Sequence, residues 1–304
     1  MTPPAKAALE PAAGAQPRGH WITTQRQRPM SLAVMLPQLQ AAPADPSSQG
    51  EDFWALVEKA KLALEIGFDM IWIPDHFMID LDPDAPPRGL WEAWTTMAGL
   101  AAALPGVPLG PMVACTSFHN PGSIAKMAEA IDSITRGNFV LGLGCGWHKP
   151  EYDAFGYPYD HRVARFEEAV EIIAPLLREG RVDYAGEYFQ ASDAVNRPRG
   201  PRPQGAPILV GSNGPRMLRT IARYADAWNT VWHGSPDAVV EQMAAVDAAC
   251  EAVGRDPKTL GRTAGGNIFM PGNTGRRPNP ITGSDEEIAA TIVRFRDLGI
   301  SHFV

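Results

Sequence analysis

The sequence predicts an α/β protein whose main domain is a (β/α)8 barrel, and two observations support this prediction. Eight short, nearly continuous apolar runs alternate with segments that carry apolar residues at helical spacing. Continuous apolar runs are typical of parallel strands that are buried on both faces. The connections from a predicted strand to the next helix are long and rich in functional side chains, whereas those from a helix to the next strand are short. Barrel enzymes build their sites from the strand-to-helix loops, at the carboxyl ends of the strands.

The eight predicted strands follow one another from residue 31 to the end of the chain. They are SLAVML (31–36), DMIWIP (69–74), VPLGPMV (107–113), FVLGLG (139–144), PILVG (207–211), AWNTVW (227–232), NIFM (267–270) and SHFV (301–304). The segment 181–206 predicts a hairpin and a proline-rich lead into the fifth strand. Because the sequence ends at the eighth strand, we expect the usual final helix to be missing from this chain.

Helix start signals separate the predicted strands. Asn120 and Ser235 each precede a proline, which is the pattern of a cap followed by a first-turn proline. Ser284 and Glu287 have the spacing of a capping box. Residues 1–28 are rich in Ala and Pro and show no apolar period, so they predict a disordered arm before a single barrel domain over residues 29–304.

The composition excludes several classes of function. The chain has 304 residues, of which 45% are hydrophobic, and 27 Lys and Arg stand against 34 Asp and Glu, for a net charge of −7. This acidity argues against nucleic-acid partners, because phosphate backbones attract basic surfaces. No apolar run reaches the 18 residues or more that predict a membrane span. Three widely spaced cysteines and the absence of a secretory signal favour a reduced, cytoplasmic setting.

Three groups of candidate site residues follow predicted strands. Asp75 and His76 come directly after the second strand, where an imidazole can act as an acid or base near neutral pH or bind a cofactor. Gly142, Gly144 and Gly146, with Cys145 between the last two, lie across the end of the fourth strand, where glycines let a flat ring system approach the backbone. Each group has a purely structural alternative, which stays open. In that alternative His76 only bonds Asp75, and the glycines only form a tight end to the strand.

The third group lies between the fifth strand and the helix after it. Gly211, Ser212, Asn213 and Gly214 lead straight into that helix, and small residues at a helix N-terminus are typical of a phosphate site. An ordinary Asn-Gly turn is the alternative. No GK[ST] follows, which argues against a nucleoside triphosphate loop.

Two other enzyme classes find little support in the sequence. Four histidines come from the predicted mouth loops: His76, His119, His148 and His161. They show no HxH or HExxH spacing, so we predict no metal site, and a metal-dependent hydrolase is a minor alternative. The absence of a GxSxG elbow argues against a serine hydrolase.

Taken together, the motifs resemble the luciferase-like family of flavin-dependent oxidoreductases from about residue 31 to residue 304. The segments that carry the resemblance are GFDMIWIPDH, SFHNPGSIAKMAEAIDSITRGNFVLGLGCGWHKPEYDAFGYP, RFEEAVEIIAPLLREGRVDYAGEYF and PILVGSNGPRMLRTIARYADAWN. The resemblance implies a barrel that holds FMN or its deazaflavin relative, coenzyme F-420, at the carboxyl face. It further implies an oxidoreductase that carries out hydride transfer or monooxygenation on a small organic substrate.

The resemblance also implies roles for particular residues. His76 would approach the reactive ring carbon as the catalytic residue, and Asp75 would contact the cofactor. A strand-three bulge, often with a non-proline cis peptide, would support the ring at Met112, Val113 and Ala114. The residues from Gly211 to Gly214 would take the cofactor phosphate.

One departure from the family pattern argues against a class of substrate, and one alternative function stays open. Trp147 stands where the sugar-phosphate dehydrogenase branch has a catalytic carboxylic acid, which argues against a sugar-phosphate substrate. A non-catalytic flavin-binding barrel is the alternative to an enzyme. Because barrels of this size with apolar outer helices commonly dimerise, we expect a homodimer.

Overall fold

The computed structural model describes residues 28–38, 52–79, 87–270, 272 and 277–304. Residues 1–27 of the predicted arm lie outside the described residues, as do parts of the loops after the first, second and seventh predicted strands. Arg28, the last residue of the predicted arm, pairs with Asp69 and bonds the carbonyl of Gly67.

The described chain contains thirteen strands and eight α-helices. The strands are β1 (Ser31–Met35), β2 (Met70–Ile73), β3 (Met78–Ile79), β4 (Arg88–Gly89), β5 (Leu109–Pro111), β6 (Ala114–Cys115), β7 (Leu141–Gly144), β8 (Arg181–Ala185), β9 (Gln190–Val195), β10 (Ile208–Gly211), β11 (Ala227–Thr230), β12 (Gly261–Ala264) and β13 (His302–Phe303). The helices are α1 (Phe53–Ile66), α2 (Ala93–Ala103), α3 (Pro121–Ile134), α4 (Lys149–Phe155), α5 (Arg162–Arg178), α6 (Pro215–Tyr224), α7 (Val240–Ala252) and α8 (Asp285–Asp297).

Nine of these strands form the barrel. Their order is β5-β2-β1-β13-β12-β11-β10-β7-β6, and every neighbouring pair is parallel. β5 and β6 are two parts of one barrel strand, because β5 pairs with β2 and β6 pairs with β7. A parallel bridge between Leu109 and Phe139 joins the two ends of the sheet. The architecture is therefore the eight-stranded barrel that the sequence predicts.

Side chains fill both sides of the barrel wall. The interior is packed with Ala33, Met70, Trp72, Met112, Val140, Leu209 and Ala227. A larger cluster lies between the strands and the outer helices. Residues in β2 alternate between these two layers, since Met70 and Trp72 belong to the first and Ile71 and Ile73 to the second. This burial fixes the direction in which the loop after β2 leaves the barrel.

Most sequence predictions of local structure are confirmed. The hairpin predicted within 181–206 is present as β8 and β9. Asn120 caps α3, and Ser284 forms the capping box with Glu287 at the start of α8. Within the described residues, none of the helices combines the length and hydropathy needed to span a bilayer.

The seventh predicted strand is wrong. The barrel strand at this position is β12, Gly261–Ala264, and not 267–270. Ile268 makes only an isolated bridge to Ile281 and is 41% exposed. Sequence patterning missed β12 because Arg262 and Thr263 are polar. Both are nevertheless buried. Arg262 donates to Leu260 and to Asp247 of α7, and Thr263 donates to Trp228 and Asn229 of β11.

Candidate active site

The loop after β2 carries Asp75 and His76 to the carboxyl end of the barrel. All four residues of β2 are buried, so the strand holds the start of this loop in place. Gln38 fixes the loop further, because its side-chain amide donates to the carbonyl oxygens of Pro74 and Trp91. His76 follows within three residues of the end of the strand. The structure therefore places this imidazole at the mouth, as the sequence predicts.

His76 contacts a buried carboxylate that the sequence analysis missed. Its Nδ1 lies 2.6 Å from Oε2 of Glu151, a residue in the first turn of α4. The other carboxylate oxygen, Oε1, accepts the backbone N–H groups of Phe77 and Met78 at 2.6 Å and 3.2 Å. The side chain of Glu151 is 1% exposed, whereas that of His76 is 19% exposed. Glu151 therefore ties α4 to the loop after β2.

Two ring systems of the loop after β7 surround His76. The rings of Trp147 and His148 meet the imidazole edge to face, with centroids 5.7 Å and 6.2 Å away. Trp147 is 56% exposed, while His148 is buried. Trp147 thus places an aromatic side chain, and not a carboxylic acid, beside His76.

The side chain of Asp75 joins the loop after β2 to β6. Its Oδ2 accepts the backbone N–H of Cys115 in β6 at 2.8 Å, and its Oδ1 has no hydrogen-bond partner within the described structure. Burial raises the pKa of Asp75 to about 7, and the negative charges of Glu92 and Glu151 act in the same direction. The Cys115 hydrogen bond and His76 oppose this rise.

Asp75 lies in a small polar group with Glu92 and His119. One side-chain ligand atom of each residue lies within 4.8 Å of the others, a set that suits a cation and that sequence spacing did not reveal. Glu92 already accepts the backbone N–H groups of Trp94 and Thr95 as the cap of α2. Since both carboxylates bind backbone groups, we interpret this group as a link between the loop after β2, α2 and the loop before α3.

The break between β5 and β6 falls at the predicted strand-three bulge. The peptide bond between Met112 and Val113 is cis, as the resemblance implies. Met112 lies in the barrel interior, and Ala114 begins β6. Val113 packs on two of the predicted glycines, because a Cβ on Gly144 would lie 2.6 Å from its Cγ2 and one on Gly211 3.8 Å from its Cγ1. The bulge, the end of β7 and the end of β10 therefore meet at Val113.

The glycine loop after β7 packs on Tyr152 of α4. Gly146 has a φ of +75°, and a Cβ there would lie 1.8 Å from the Tyr152 hydroxyl. That hydroxyl donates to the carbonyl oxygen of Cys145 at 3.1 Å and lies 3.2 Å from Sγ of Cys115. Burial raises the pKa of both thiols, to about 12 for Cys115. A raised pKa argues against a nucleophilic role for either thiol.

The segment from Gly211 to Gly214 leads from β10 into the N-terminus of α6. No side chain caps this helix, and a Cβ on Gly214 would meet nothing within 4 Å. Ser212 and Asn213 make only long side-chain bonds, to the Gly214 amide and to Thr230, each at 3.4 Å. The open space beside this helix N-terminus leaves room for the phosphate group that the resemblance implies.

Comparison with known proteins identifies the family. A model of the luciferase-like monooxygenase family matches residues 30–274. The chain belongs to this family. Among curated proteins it is 31% identical over 258 residues to a phthiodiolone/phenolphthiodiolone dimycocerosates ketoreductase of Mycobacterium tuberculosis, with 78% of this chain covered. It is 30% identical to an F-420-dependent hydroxymycolic acid dehydrogenase of the same species, with 69% of this chain and 57% of the relative covered.

This luciferase-like chain spans 65% of the length of the ketoreductase. Among solved structures, it resembles an F-420-dependent secondary alcohol dehydrogenase with a TM-score of 0.74 and 18% identity, over 91% of this chain and 92% of the other. It also resembles the coenzyme F-420-dependent tetrahydromethanopterin reductase of Methanopyrus kandleri, with a TM-score of 0.71 and 16% identity, over 90% and 92% of the two chains. These likenesses confirm the predicted barrel.

Proposed function

We propose that this luciferase-like chain is an oxidoreductase that uses coenzyme F-420 to interconvert a secondary alcohol and its ketone. The observation that carries the proposal is the position of His76, a partly exposed imidazole at the carboxyl mouth of the barrel. The names of the ketoreductase and of the F-420-dependent dehydrogenase, both at least 30% identical to this chain, support this reaction and this cofactor.

The described residues fit a phosphate-bearing ring cofactor. The uncapped N-terminus of α6, reached through Gly211, Ser212, Asn213 and Gly214, would hold the phosphate. Met112, Val113, Ala114, Gly144, Cys145 and Gly146 would border the ring system, and the unpartnered Oδ1 of Asp75 is available to a polar edge of it. When bound, the deazaflavin supplies a ring carbon that accepts or donates a hydride.

His76 would move the proton that accompanies the hydride. In the oxidative direction the carbinol C–H bond would give its hydride to the cofactor, while the imidazole of His76 would take the hydroxyl proton. In the reductive direction the imidazolium returns that proton to the new alkoxide oxygen. Such a proton transfer contributes about 10²–10⁴-fold to the rate.

The rim of the mouth favours an apolar substrate. Trp147, Trp232, Ile268 and Met270 come from loops after the barrel strands β7, β11 and β12, and all four are exposed. Exposed apolar groups at the entrance of a site are typical of surfaces that bind hydrophobic ligands. The names of the two curated relatives, which refer to mycolic acid and dimycocerosate lipids, point in the same direction.

The test is to measure cofactor affinity and turnover on the same preparations of the wild type and His76→Ala. We expect turnover with secondary alcohols to fall about 10²–10⁴-fold, with unchanged affinity for coenzyme F-420. His161→Asn is the matched control, because it removes another mouth histidine that is 62% exposed and asparagine tolerates the φ of +53° at this position. Normal turnover of His76→Ala would contradict the role of His76. Loss of cofactor without a change in turnover of the remaining holoenzyme would make His76 a binding residue.

Monooxygenation is the second candidate, because the family description names that reaction. FMN, the other cofactor that the resemblance implies, would serve it. The absorption spectrum of the bound cofactor distinguishes the two candidates. A protein that binds FMN and inserts oxygen from O2 would support the second. A coloured protein that turns over no substrate with either cofactor would support the non-catalytic flavin-binding barrel.

We also propose that the protein acts as a homodimer in a reducing compartment such as the cytoplasm. Its cysteines, Cys115, Cys145 and Cys250, are free thiols, which supports the second part of this proposal. A monomer in light scattering at working concentration would contradict the first.

A further inference from the structure

The pairing of His76 with Glu151 bears on which imidazole nitrogen carries the proton. A neutral imidazole has one N–H, and only its other nitrogen can accept a proton from a substrate. A carboxylate accepts hydrogen bonds and donates none. Oε1 of Glu151 accepts two backbone N–H groups, so the carboxylate is fixed with Oε2 directed at Nδ1 of His76. This arrangement favours a hydrogen on Nδ1 and a free lone pair on Nε2.

We propose that Glu151 is a positioning residue that holds His76 in the Nδ1–H form and stabilises the imidazolium formed when Nε2 takes the substrate proton. This inference rests on the proposed function of His76. It assigns the base to one atom, Nε2, and gives the short helix α4 a part in the reaction.

The burial of Glu151 supports this role. A carboxylate with 1% exposure loses nearly all of its hydration, and three hydrogen bonds from the loop after β2 compensate for that loss. A surface acid that only started α4 would stay in water. Instead, the side chain of Glu151 reaches a histidine 75 positions away in the sequence.

The other groups around His76 do not determine which ring nitrogen carries its hydrogen. His148 and Trp147 face the imidazole edge-on, from the same connection that carries Glu151. Asp75 lies next in sequence and turns its Oδ2 to Cys115. Within the described structure, Glu151 is thus the acid that bonds the His76 ring directly.

The first test is the imidazole ¹⁵N NMR spectrum of the purified protein, with the His76 signals assigned by their loss in His76→Ala. We expect the signature of an Nδ1–H imidazole in the wild type. This readout needs neither substrate nor cofactor. A wild-type spectrum with hydrogen on Nε2 would overturn the proposal.

The second test uses Glu151→Gln. Its Oε1 can still accept from Phe77 and Met78, but its amide N–H would donate to Nδ1 of His76 and move the ring hydrogen to Nε2. We expect the NMR signature to invert and kcat to fall about 10²–10⁴-fold, the range for loss of general-base catalysis, with cofactor affinity and KM unchanged. Asp153→Asn, on the exposed side of α4 beside Lys149, is the matched control and should change none of these values.

The outcomes separate this inference from the proposed function. If His76→Ala retains full turnover, the proposed function fails, whatever Glu151→Gln shows. If His76→Ala is impaired but Glu151→Gln is not, only the positioning role fails. Should Glu151→Gln not fold, Glu151→Asp keeps an acceptor-only group, and retention of the Nδ1–H signature in that variant would support the proposal. Loss of that signature would contradict it.

Discussion

The indole Nε1 of Trp72 donates a hydrogen bond of 2.9 Å to Nε2 of His302. Because Nε2 accepts, the ring hydrogen lies on Nδ1, which contacts Oγ of Ser31 at 2.6 Å. Trp72 and His302 are fully buried and lie 230 positions apart in the sequence. They join β1, β2 and β13 at the point where the last barrel strand meets the first.

This buried histidine predicts a loss of stability in acid. Burial lowers the pKa of His302 to about 3, well below the usual histidine value of 6.5. Below pH 6.5 the unfolded chain therefore binds a proton that the folded chain does not, and stability falls until the pH reaches the folded pKa. We expect the wild type to lose about 2 kcal/mol more than His302→Gln between pH 7 and pH 5. Urea unfolding at both pH values measures this difference, and equal losses would contradict it.

Asp75 predicts the opposite dependence on pH. Its pKa is raised from 3.8 to about 7, chiefly by burial. Between these two values the unfolded chain releases a proton that the folded chain retains, so Asp75 lowers stability as the pH rises. Asp75→Asn should gain stability relative to the wild type by a few kcal/mol, about 1.4 for each pH unit in that interval. Thermal unfolding from pH 4 to pH 7, with Asp153→Asn as control, measures the gain. A constant difference would show that Asp75 does not titrate there.

Gly142 predicts a large packing effect in the barrel wall. A Cβ at this position would lie 2.1 Å from the carbonyl oxygen of Pro111, a backbone atom held by β5. We expect Gly142→Ala to lower the free energy of unfolding by about 3 kcal/mol or more. Gly214→Ala, which meets nothing within 4 Å, is the control and should change it by less than about 0.5 kcal/mol. Similar values for the two variants would refute the close approach.

Gly214 predicts a binding effect without a folding effect. The space beside it is open, and its φ of −73° suits a β-branched residue. Gly214→Val should therefore fold normally yet weaken cofactor binding by about tenfold or more, because its side chain would obstruct the N-terminus of α6. Equilibrium titration with coenzyme F-420 checks this, and Gly89→Val, at another open glycine, should bind normally. Unchanged cofactor affinity in Gly214→Val would contradict the assignment of the cofactor phosphate to the N-terminus of α6.

The sequence predicted those parts of the fold that local patterns encode. Seven barrel strands fall within mostly apolar runs of the sequence, and such runs are visible without any tertiary contact. β12 is the exception, because Arg262 pairs with Asp247 of α7 and so is buried with its charge compensated. The residue pattern of a strand does not show that a charged side chain will find an ion-pair partner on another helix or strand.

The same reason explains which part of the site was missed. His76 and the segment from Gly211 to Gly214 stand at strand ends, so their places were predictable from strand order. Glu151 looks like an ordinary acid in a first helical turn, and only the folded chain brings it to His76. An acid placed soon after the glycine loop was the one available signal. Its significance depends on the length of α4 and the path of the loop after β2.

The most direct test of the proposed function follows a labelled hydride. The protein would be incubated with oxidised coenzyme F-420 and 2-alkanols of increasing chain length, each deuterated at the carbinol carbon. We expect one deuterium to appear in the cofactor for each ketone formed, with longer chains preferred and the transfer slowed about 100-fold or more in His76→Ala. Ketone formation without deuterium in the cofactor, or a product that carries oxygen from O2, would contradict hydride transfer by this chain.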